Sequence, residues 1–485
     1  MIDLAHECPP RILDSFFVGG HWMRASGSER KKIVSPADGK TLVEVPIATG
    51  GEIDLAIASA AEAFEHGPWP RTDPSERAAM MTMFAEALER RMTLFAKLWT
   101  AQVGAPVSLA SRLAPLAVAR LRYFAGLALT YEFERERDTT LGFARILAEP
   151  VGPAAIIIPW NAAFPILMTK LSAALAAGCT CVIKPSPESP LDAYLVAQCA
   201  MEAGIPPGVI NVVLADAEGS ARLVADRRMV KVSFTGSVGT GKRIAAVVAP
   251  RMGRLTLEMG GKSAAIILED ADLGQAMPTL ERFTMPFSGQ FCFAQTRILV
   301  PRAREAEVVD AYVSRLSRLK IGNPWEPDTD VGPLLNTAQF EKAVAYISQG
   351  IKDGAEVVTG GIPDTMLSSG NYVEPTVFRN VAREMSIARE EIFGPVVTVQ
   401  TFEDIDEAIA IANDTDFGLS GSIFGDPATA FEIARRVRTG QVHINGMELA
   451  PSAPFGGFKE SGVGREGGPE GLAAFLETKA VLFPS

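Results

Sequence analysis

From residue 147 onward the chain alternates short apolar runs with longer amphipathic ones. Runs rich in Ile and Val at 154–158, 181–183, 209–214 and 229–234 have the length of buried strands. The Ala-rich segments 166–177, 190–203, 219–225 and 238–249 that separate them have helical spacing. This alternation predicts βαβ units and a parallel sheet. The same texture resumes near Ala264, with strands predicted at 264–268, 296–300 and 395–401 and helices at 303–319, 337–353 and 404–413, so a second α/β domain is expected. The first hundred residues read as mostly helical: 52–66 and 74–99 carry Ala-rich apolar periods, and Thr72 or Asp73 ahead of Pro74 is a helix start. Gly360 and Gly361, and residues 461–468, read as loops, and residues 479–485 end the chain in an apolar, strand-like piece.

Length and charge narrow the class. At roughly 100–200 residues per domain, 485 residues imply two to four domains. Hydrophobic residues make up 47% and charged residues 21%, the balance of a folded chain rather than a disordered one. The 46 Lys and Arg against 57 Asp and Glu leave a net charge of -11, which argues against nucleic acid or an anionic membrane surface as partner and for a small-molecule substrate. The five cysteines, Cys8, Cys179, Cys181, Cys199 and Cys292, are too sparse for a disulfide framework, and a reducing, cytoplasmic setting is expected. The N-terminus lacks the basic start and apolar stretch of a secretory signal. The uncharged stretch 150–169 is broken by Pro150, Pro153, Pro159 and Pro165 and is not expected to cross a membrane. His6, His21, His66 and His443 are scattered and no C-x-x-C or H-E-x-x-H occurs, so no metal site is expected.

Several segments carry candidate chemistry. Residues 232–243 run from an apolar strand through Gly236, Gly239 and Gly241 into a helix, a geometry that offers backbone N–H groups to an anion. Their glycine order is not G-x-G-x-x-G, and Arg243 stands where a G-x-x-x-x-G-K-[ST] loop needs its metal-binding hydroxyl; a phosphate site and a plain glycine turn remain equal readings. Cys292 lies between two aromatics after a Gly-Gln turn, whereas Cys179, Cys181 and Cys199 sit in strand or helix patterns. A lone buried cysteine is by default a small hydrophobe. Glu258 closes an apolar run just before Gly260 and Gly261; the default there is a solvated carboxylate, and the glycines permit close approach of ligand or chain. Asn161 follows the run 154–158 at the carboxyl end of a predicted parallel strand, where open α/β sheets bind ligands, and its amide is either a turn former or a donor to a developing oxyanion. Lys184 occupies another strand end, and Glu391 and Phe393 precede a third strand.

Taken in order, these segments resemble the NAD(P)-dependent aldehyde dehydrogenase superfamily. The resemblance rests on IIIPWN (156–161), KPSPESP (184–190), SFTGSVGTG (233–241), LEMGGKS (257–263), GQFC (289–292), EEIFGP (390–395) and PFGGFKESGVGRE (454–466), with a 34-residue step from Glu258 to Cys292. It implies an α/β fold with a Rossmann-type cofactor domain (1–127 and 150–258), a catalytic domain (259–460) and a small β oligomerisation element (128–149 and 461–485), in a homodimer or homotetramer.

Carried onto the matching positions, the resemblance makes Cys292 the nucleophile, Glu258 the general base and Asn161 the oxyanion donor, with the Cys292 backbone N–H as second donor. An aldehyde would add to the thiolate, lose hydride to the nicotinamide and leave as a carboxylic acid after hydrolysis of the thioester. Trp160, Lys184, Gly236, Ser237, Glu391, Phe393 and Gln339 fall where the family contacts its dinucleotide. Three departures matter. Pro187 stands where many NAD-using members carry a carboxylate, with Glu188 one place later and no Arg after Lys184, so NAD is favoured slightly over NADP. Ala162, Ala163 and Phe164 intervene between Asn161 and Pro165, and Ala162 replaces an aromatic often found beside the amide. Phe287, Phe291 and Phe293 surround the nucleophile and Phe455 follows a short loop, predicting an apolar pocket for an apolar or aromatic aldehyde. The alternatives are a semialdehyde substrate, for which Arg282 and Arg297 are the nearest cations in sequence, a coenzyme A-acylating enzyme, or a non-catalytic binding protein on the same fold.

Overall fold

The computed structural model describes residues 10–362 and 370–484; His6 and Cys8 lie outside them. Its largest sheet has eight strands, in the spatial order Gly462–Val463, Arg254–Glu258, Lys231–Thr235, Ala154–Ile157, Cys181–Lys184, Ile210–Val212, Ser15–Val18 and His21–Arg24. The five central strands are parallel. Chain order runs outward in one direction from Ala154–Ile157 through 181 and 210, and in the other through 231 and 254. The gap between Ala154–Ile157 and Lys231–Thr235 is therefore a switch point, where the helices leaving neighbouring strands diverge and a crevice opens at the strands' carboxyl ends. Asn161 and Gly236 stand just past those two ends.

The second sheet has seven strands, in the order Glu356–Thr359, Thr376–Arg379, Val396–Phe402, Arg297–Pro301, Ala264–Ile267, Gly421–Phe424 and His443–Ile444, all parallel but the first. A three-stranded antiparallel sheet joins Glu134–Thr139, Gly142–Pro150 and Leu476–Pro484.

The predicted strands and helices of both α/β regions form within a few residues of their expected bounds. Asp73 caps the helix Pro74–Glu89 by accepting from the Ser75 N–H, and Pro74 takes the first helical position, where no intrahelical N–H bond is lost. The helix predicted over 74–99 is two, Pro74–Glu89 and Met92–Val103, parted at Arg90 and Arg91.

The first fifty residues differ from expectation. Four strands, Ser15–Val18, His21–Arg24, Arg30–Val34 and Thr41–Pro46, precede the first long helix. Phe16, Phe17 and Val18 are buried, and Phe17 pairs with Val212 on the edge of the large sheet. Gly19 and Gly20, at φ +63° and +83°, make the two-residue turn to the next strand. Tertiary docking of a short aromatic run decides this hairpin, and helical periodicity elsewhere in the region does not report on it. Gly462–Val463, read as loop, adds an antiparallel edge strand to Arg254–Glu258.

The stretch Val107–Thr130 is apolar and long enough to cross a membrane by composition. Ala114 and Pro115 divide it into two helices, and its Ala117, Val118, Leu121 and Phe124 are core residues of the first α/β region. Cys179, Cys181 and Cys199 are also buried there, and burial pushes the Cys179 and Cys199 thiols up to about 11 and about 12.

Candidate active site

Cys292 is held by a backbone that departs from ordinary geometry. Phe287, Ser288 and Gly289 lie at φ +59°, +55° and +69°, and each non-glycine residue in the left-handed region costs roughly 1–3 kcal/mol. Surrounding contacts hold them there. The Ser288 hydroxyl donates to the Gly332 carbonyl (2.5 Å), and the Gln290 amide donates to Phe287 O (3.1 Å) while accepting from Leu335 N–H (3.0 Å). A Cβ on Gly289 would stand 2.3 Å from the Gly394 carbonyl oxygen, so glycine is required. Phe287 packs against Trp99, Trp160 and Phe291, and Phe291 stacks on Phe293. The Cys292 residue is half-buried, unlike the three core cysteines. Burial first, and then the neighbouring Glu258, push its pKa well above the ordinary thiol value.

Glu258 ends the strand Arg254–Glu258 with Thr235 as its register partner. It is buried, and burial, reinforced by the charge of Glu466, raises its pKa to about 8. Lys170, Cys292 and Thr235 pull the other way. Its Oε1 and the Thr235 hydroxyl each lack a partner in hydrogen-bond geometry, which leaves Oε1 open to a proton. Asn161 is buried beside them. Its Nδ2 donates to Gln290 O (2.9 Å), and its backbone carbonyl accepts from Trp99 Nε1 (2.7 Å). An amide nitrogen carries two hydrogens, so one Nδ2 donor remains.

Two clefts meet at this group, and Asn161, Thr235, Glu258 and Cys292 line both. The first encloses about 950 Å³, open solvent at its mouth included, and is walled mainly by apolar side chains, among them Trp99, Ala162, Ile166, Phe291, Phe293 and Phe455. The second encloses about 640 Å³ and is lined by Trp160, Gly236, Ser237, Gln339, Glu391 and Phe393, together with Met259, Gly260 and Lys342. The Trp160 and Phe393 rings meet edge to face at 5.6 Å, with Phe393 at φ +60°. Glu391 accepts from the Gly261 N–H (3.1 Å), and a Cβ on Gly260 would lie 2.2 Å from its carboxylate. Burial raises the Glu391 pKa against the pull of the Gly261 N–H, Lys342 and Lys262.

Nine of the ten predicted site residues thus line these clefts, while Lys184 lines neither. It ends the strand Cys181–Lys184, buried, with its pKa lowered to about 8 by burial against the opposing charges of Glu188 and Asp216. The glycine segment resolves into strand Lys231–Thr235 and helix Val238–Val248, capped by Ser237, whose hydroxyl accepts from Thr240 N–H (3.4 Å). Lys242 turns away to Glu460 (2.6 Å), so it does not act as the lysine of a nucleotide-hydrolysing phosphate loop. Arg297, one of two cations considered for the pocket, donates to the carbonyls of Lys262, Ile411 and Ala412 and is structural. Sequence reasoning missed Thr235, Lys342, Arg120 and Glu466. Thr235 stands beside Gly236 in a segment already singled out, and Lys342 lies one turn after Gln339 on the same helix.

A thiol, a carboxylate and an amide gathered between an apolar cleft and a polar one, at the switch point of a parallel sheet, define a dinucleotide-dependent oxidoreductase acting on a carbonyl compound. The model of the aldehyde dehydrogenase family matches residues 22–481. The chain is 41% identical over 473 residues to a 3-succinoylsemialdehyde-pyridine dehydrogenase of a Pseudomonas species, covering 96% of this chain and 98% of that one. It is also 41% identical over 470 residues to a geranial dehydrogenase of Castellaniella defragrans, with the same coverage. The crystal structure of a Mycobacterium tuberculosis aldehyde dehydrogenase complexed with NAD+ superposes with a TM-score of 0.94 at 39% identity, over 97% of this chain and 98% of that one. A cysteine-to-alanine mutant of aldehyde dehydrogenase C from Pseudomonas syringae, complexed with NAD+ and octanal, superposes with a TM-score of 0.94 at 38% identity over 97% of each chain. The chain belongs to the aldehyde dehydrogenase family and is an NAD(P)-dependent aldehyde dehydrogenase.

Proposed function

We propose that this enzyme oxidises aldehydes with an apolar stem to free carboxylic acids, with Cys292 as nucleophile, Glu258 as general base and Asn161 as oxyanion donor. The observation that carries the reading is the convergence of these three groups where the two clefts meet. An aldehyde entering the apolar cleft brings its carbonyl carbon to Cys292 Sγ. As the S–C bond forms, the thiol proton passes to Glu258, the adjacent carboxylate whose proton affinity burial has raised. The tetrahedral thiohemiacetal oxyanion is met by the free Nδ2 hydrogen of Asn161 and the Cys292 backbone N–H, donors already fixed in place. A dinucleotide held along Trp160, Gly236, Ser237, Glu391 and Phe393 would supply the acceptor for the hydride that the former carbonyl carbon must lose. That loss leaves a thioester on Cys292. Once Glu258 has passed the thiol proton to solvent, its carboxylate takes a proton from the attacking water; the tetrahedral adduct then expels the Cys292 thiolate, which Glu258 reprotonates as the carboxylic acid leaves.

The second cleft fits a dinucleotide. Gly236 leads into a helix whose first N–H groups, at Val238 and Gly239, lack intrahelical acceptors, the arrangement that holds a pyrophosphate. The Trp160 and Phe393 rings and Glu391 line this cleft together with Cys292, as groups that would meet the nicotinamide ribose. NAD is the favoured cofactor. Glu188 stays close enough to Lys184 to favour its charged form, and a carboxylate there opposes a 2′-phosphate. Solved relatives complexed with NAD+ support the same choice.

The eight-stranded sheet, apart from its edge strand Gly462–Val463, serves as the cofactor domain (1–127 and 150–258), the seven-stranded sheet as the catalytic domain (259–460), and the three-stranded sheet, from 128–149 and 461–485, as an oligomerisation element. Its strand Leu476–Pro484 is an open edge with Val481, Leu482 and Phe483 exposed, a surface that pairing with a second copy would cover in a homodimer or homotetramer. The cysteines are sparse and the four described ones are unpaired, which agrees with work in the cytoplasm. Absorbance of reduced nicotinamide, with NAD and NADP supplied separately across aliphatic, aromatic and carboxylate-bearing aldehydes, tests the activity. Aldehyde-dependent reduction of NAD at a higher kcat/KM than of NADP is expected, and no reduction with any aldehyde would overturn the reading.

A further inference from the structure

The apolar cleft contains one polar group that the chemistry above leaves unused. Arg120 lies on the helix Pro115–Thr130, between Leu116 one turn before and Phe124 one turn after, and all three line the cleft that contains Cys292. Spacing of four residues puts them on one helical face, so the guanidinium interrupts an otherwise apolar stripe. Outside the reacting group and Thr235, the other polar side chains of the wall are engaged. The Thr169 hydroxyl donates to Pro165 O (2.9 Å), the Gln441 amide to Pro454 O (2.9 Å) and the Asn161 amide to Gln290 O (2.9 Å). Glu466, the carboxylate nearest in kind, forms a buried ion pair with Lys170, which also donates to Ser233 Oγ (3.3 Å).

Arg120 makes no hydrogen bond or ion pair with any described residue. Burial lowers its pKa to about 10, with Glu466 opposing from beyond ion-pair distance, so it is still a cation at neutral pH. Glu466 is itself engaged by Lys170, so its charge is already partly neutralised. A half-buried guanidinium with five N–H donors and no protein acceptor, in a wall that is otherwise mainly apolar, is free to donate to an anionic ligand.

We infer that Arg120 receives the carboxylate of the substrate, so that the preferred aldehydes are ω-oxo carboxylates whose apolar linker spans the wall between Arg120 and Cys292. The inference rests on the proposed entry of aldehydes to Cys292 through this cleft. It also accounts for a wall that is apolar along its length yet carries one fork suited to a bidentate carboxylate pair. The semialdehyde reading thereby regains its cation, from a helix far upstream of Arg282 and Arg297.

The test uses the full-length enzyme with NAD and compares kcat/KM for ω-oxo carboxylates of four to eight carbons with that for alkanals of equal carbon number. The wild type is expected to favour the oxo acid by about 10-fold or more at the best-fitting length. In Arg120→Met the ratio of oxo-acid to alkanal kcat/KM falls by roughly 10- to 100-fold, mainly through KM, and Arg120→Lys recovers part of it. Equal efficiency for both series in the wild type, or a ratio that Arg120→Met leaves within about 2-fold, overturns the inference. The wild-type ratio decides the matter even if a variant fails to fold. Oxidation of alkanals without preference for any oxo acid removes this inference alone; oxidation of neither series removes the proposed function as well.

Discussion

The two clefts that meet at Cys292 are built in different ways. The cofactor-side cleft is made of strand ends and the turns that follow them: Pro159 to Asn161, Thr235 to Ser237, Glu258 to Gly260, and Glu391 with Phe393 ahead of Val396–Phe402. Its walls are more polar than those of the other cleft, contain the carboxylates of Glu258 and Glu391, and depend on backbone that glycine lets approach closely, as at Gly260 against Glu391. The substrate-side cleft is made of helix faces and a loop, with Leu116, Arg120 and Phe124 from one helix, Ile166 and Thr169 from another, and Leu449 to Ala453 from the segment before Phe455. Its walls are mostly apolar side chains. In the proposed reading the chemistry sits on rigid sheet ends, and substrate choice on side chains that can change without moving those ends.

The largest test removes what both clefts share. Cys292→Ala should lower aldehyde oxidation by about 10⁴-fold or more while cofactor binding, followed by fluorescence titration, persists; normal oxidation would sever the two clefts from this thiol. Glu258→Gln comes next. It should slow steady-state turnover by about 10²- to 10⁴-fold yet still release a stoichiometric burst of reduced nicotinamide, because hydrolysis depends on the base. The burst also requires that the Gln amide permit thiol deprotonation by solvent.

Smaller effects separate the sides. Gly260→Ala places a methyl 2.2 Å from the Glu391 carboxylate and should raise the KM for NAD about 10-fold, leaving the KM for the aldehyde within about 2-fold. Phe455→Ala, on the opposite wall, should do the reverse, with loss of roughly 1–3 kcal/mol of aldehyde binding. A change of both KM values in either variant would mean that the clefts are not separable. The smallest effect is in pH. Glu258 acts as a carboxylate, and burial raises its pKa to about 8, so hydrolysis should increase with pH through about 8 and level off above it. Stopped-flow deacylation rates across a pH series spanning that value would show the rising limb, and a flat profile would remove Glu258 as the base.

The same contrast explains what was legible in the sequence. Asn161, Glu258, Gly236, Ser237, Glu391 and Phe393 sit in short segments where an apolar run meets glycine, proline or an amide, and such punctuation marks a strand boundary by composition alone. The parallel strands were equally plain, since buried strands read as uninterrupted apolar runs. Arg120 gave no signal. It sits in a helix with a mixed apolar pattern, and only the packing of that helix against Ala163–Ala177 brings it into the wall of the cleft that Cys292 also lines. Glu466 closes a glycine-rich segment that stands out for its glycines, and its meaning comes from Lys170, distant in the chain. The hairpin at 15–24 was hidden for a similar reason, because docking of Phe17 beside Val212 supplies what the local pattern lacks.

The central claim is that acyl transfer passes through Cys292 and that Glu258 releases it. The most direct measurement is intact-mass and peptide-mapping mass spectrometry of Glu258→Gln after incubation with NAD and a medium-chain aldehyde. The account predicts one acyl group per chain, mapped to the peptide containing Cys292 and absent when NAD is omitted. Reduced nicotinamide formed with no covalent acyl group, or an acyl group on Cys179, Cys181 or Cys199, would contradict it.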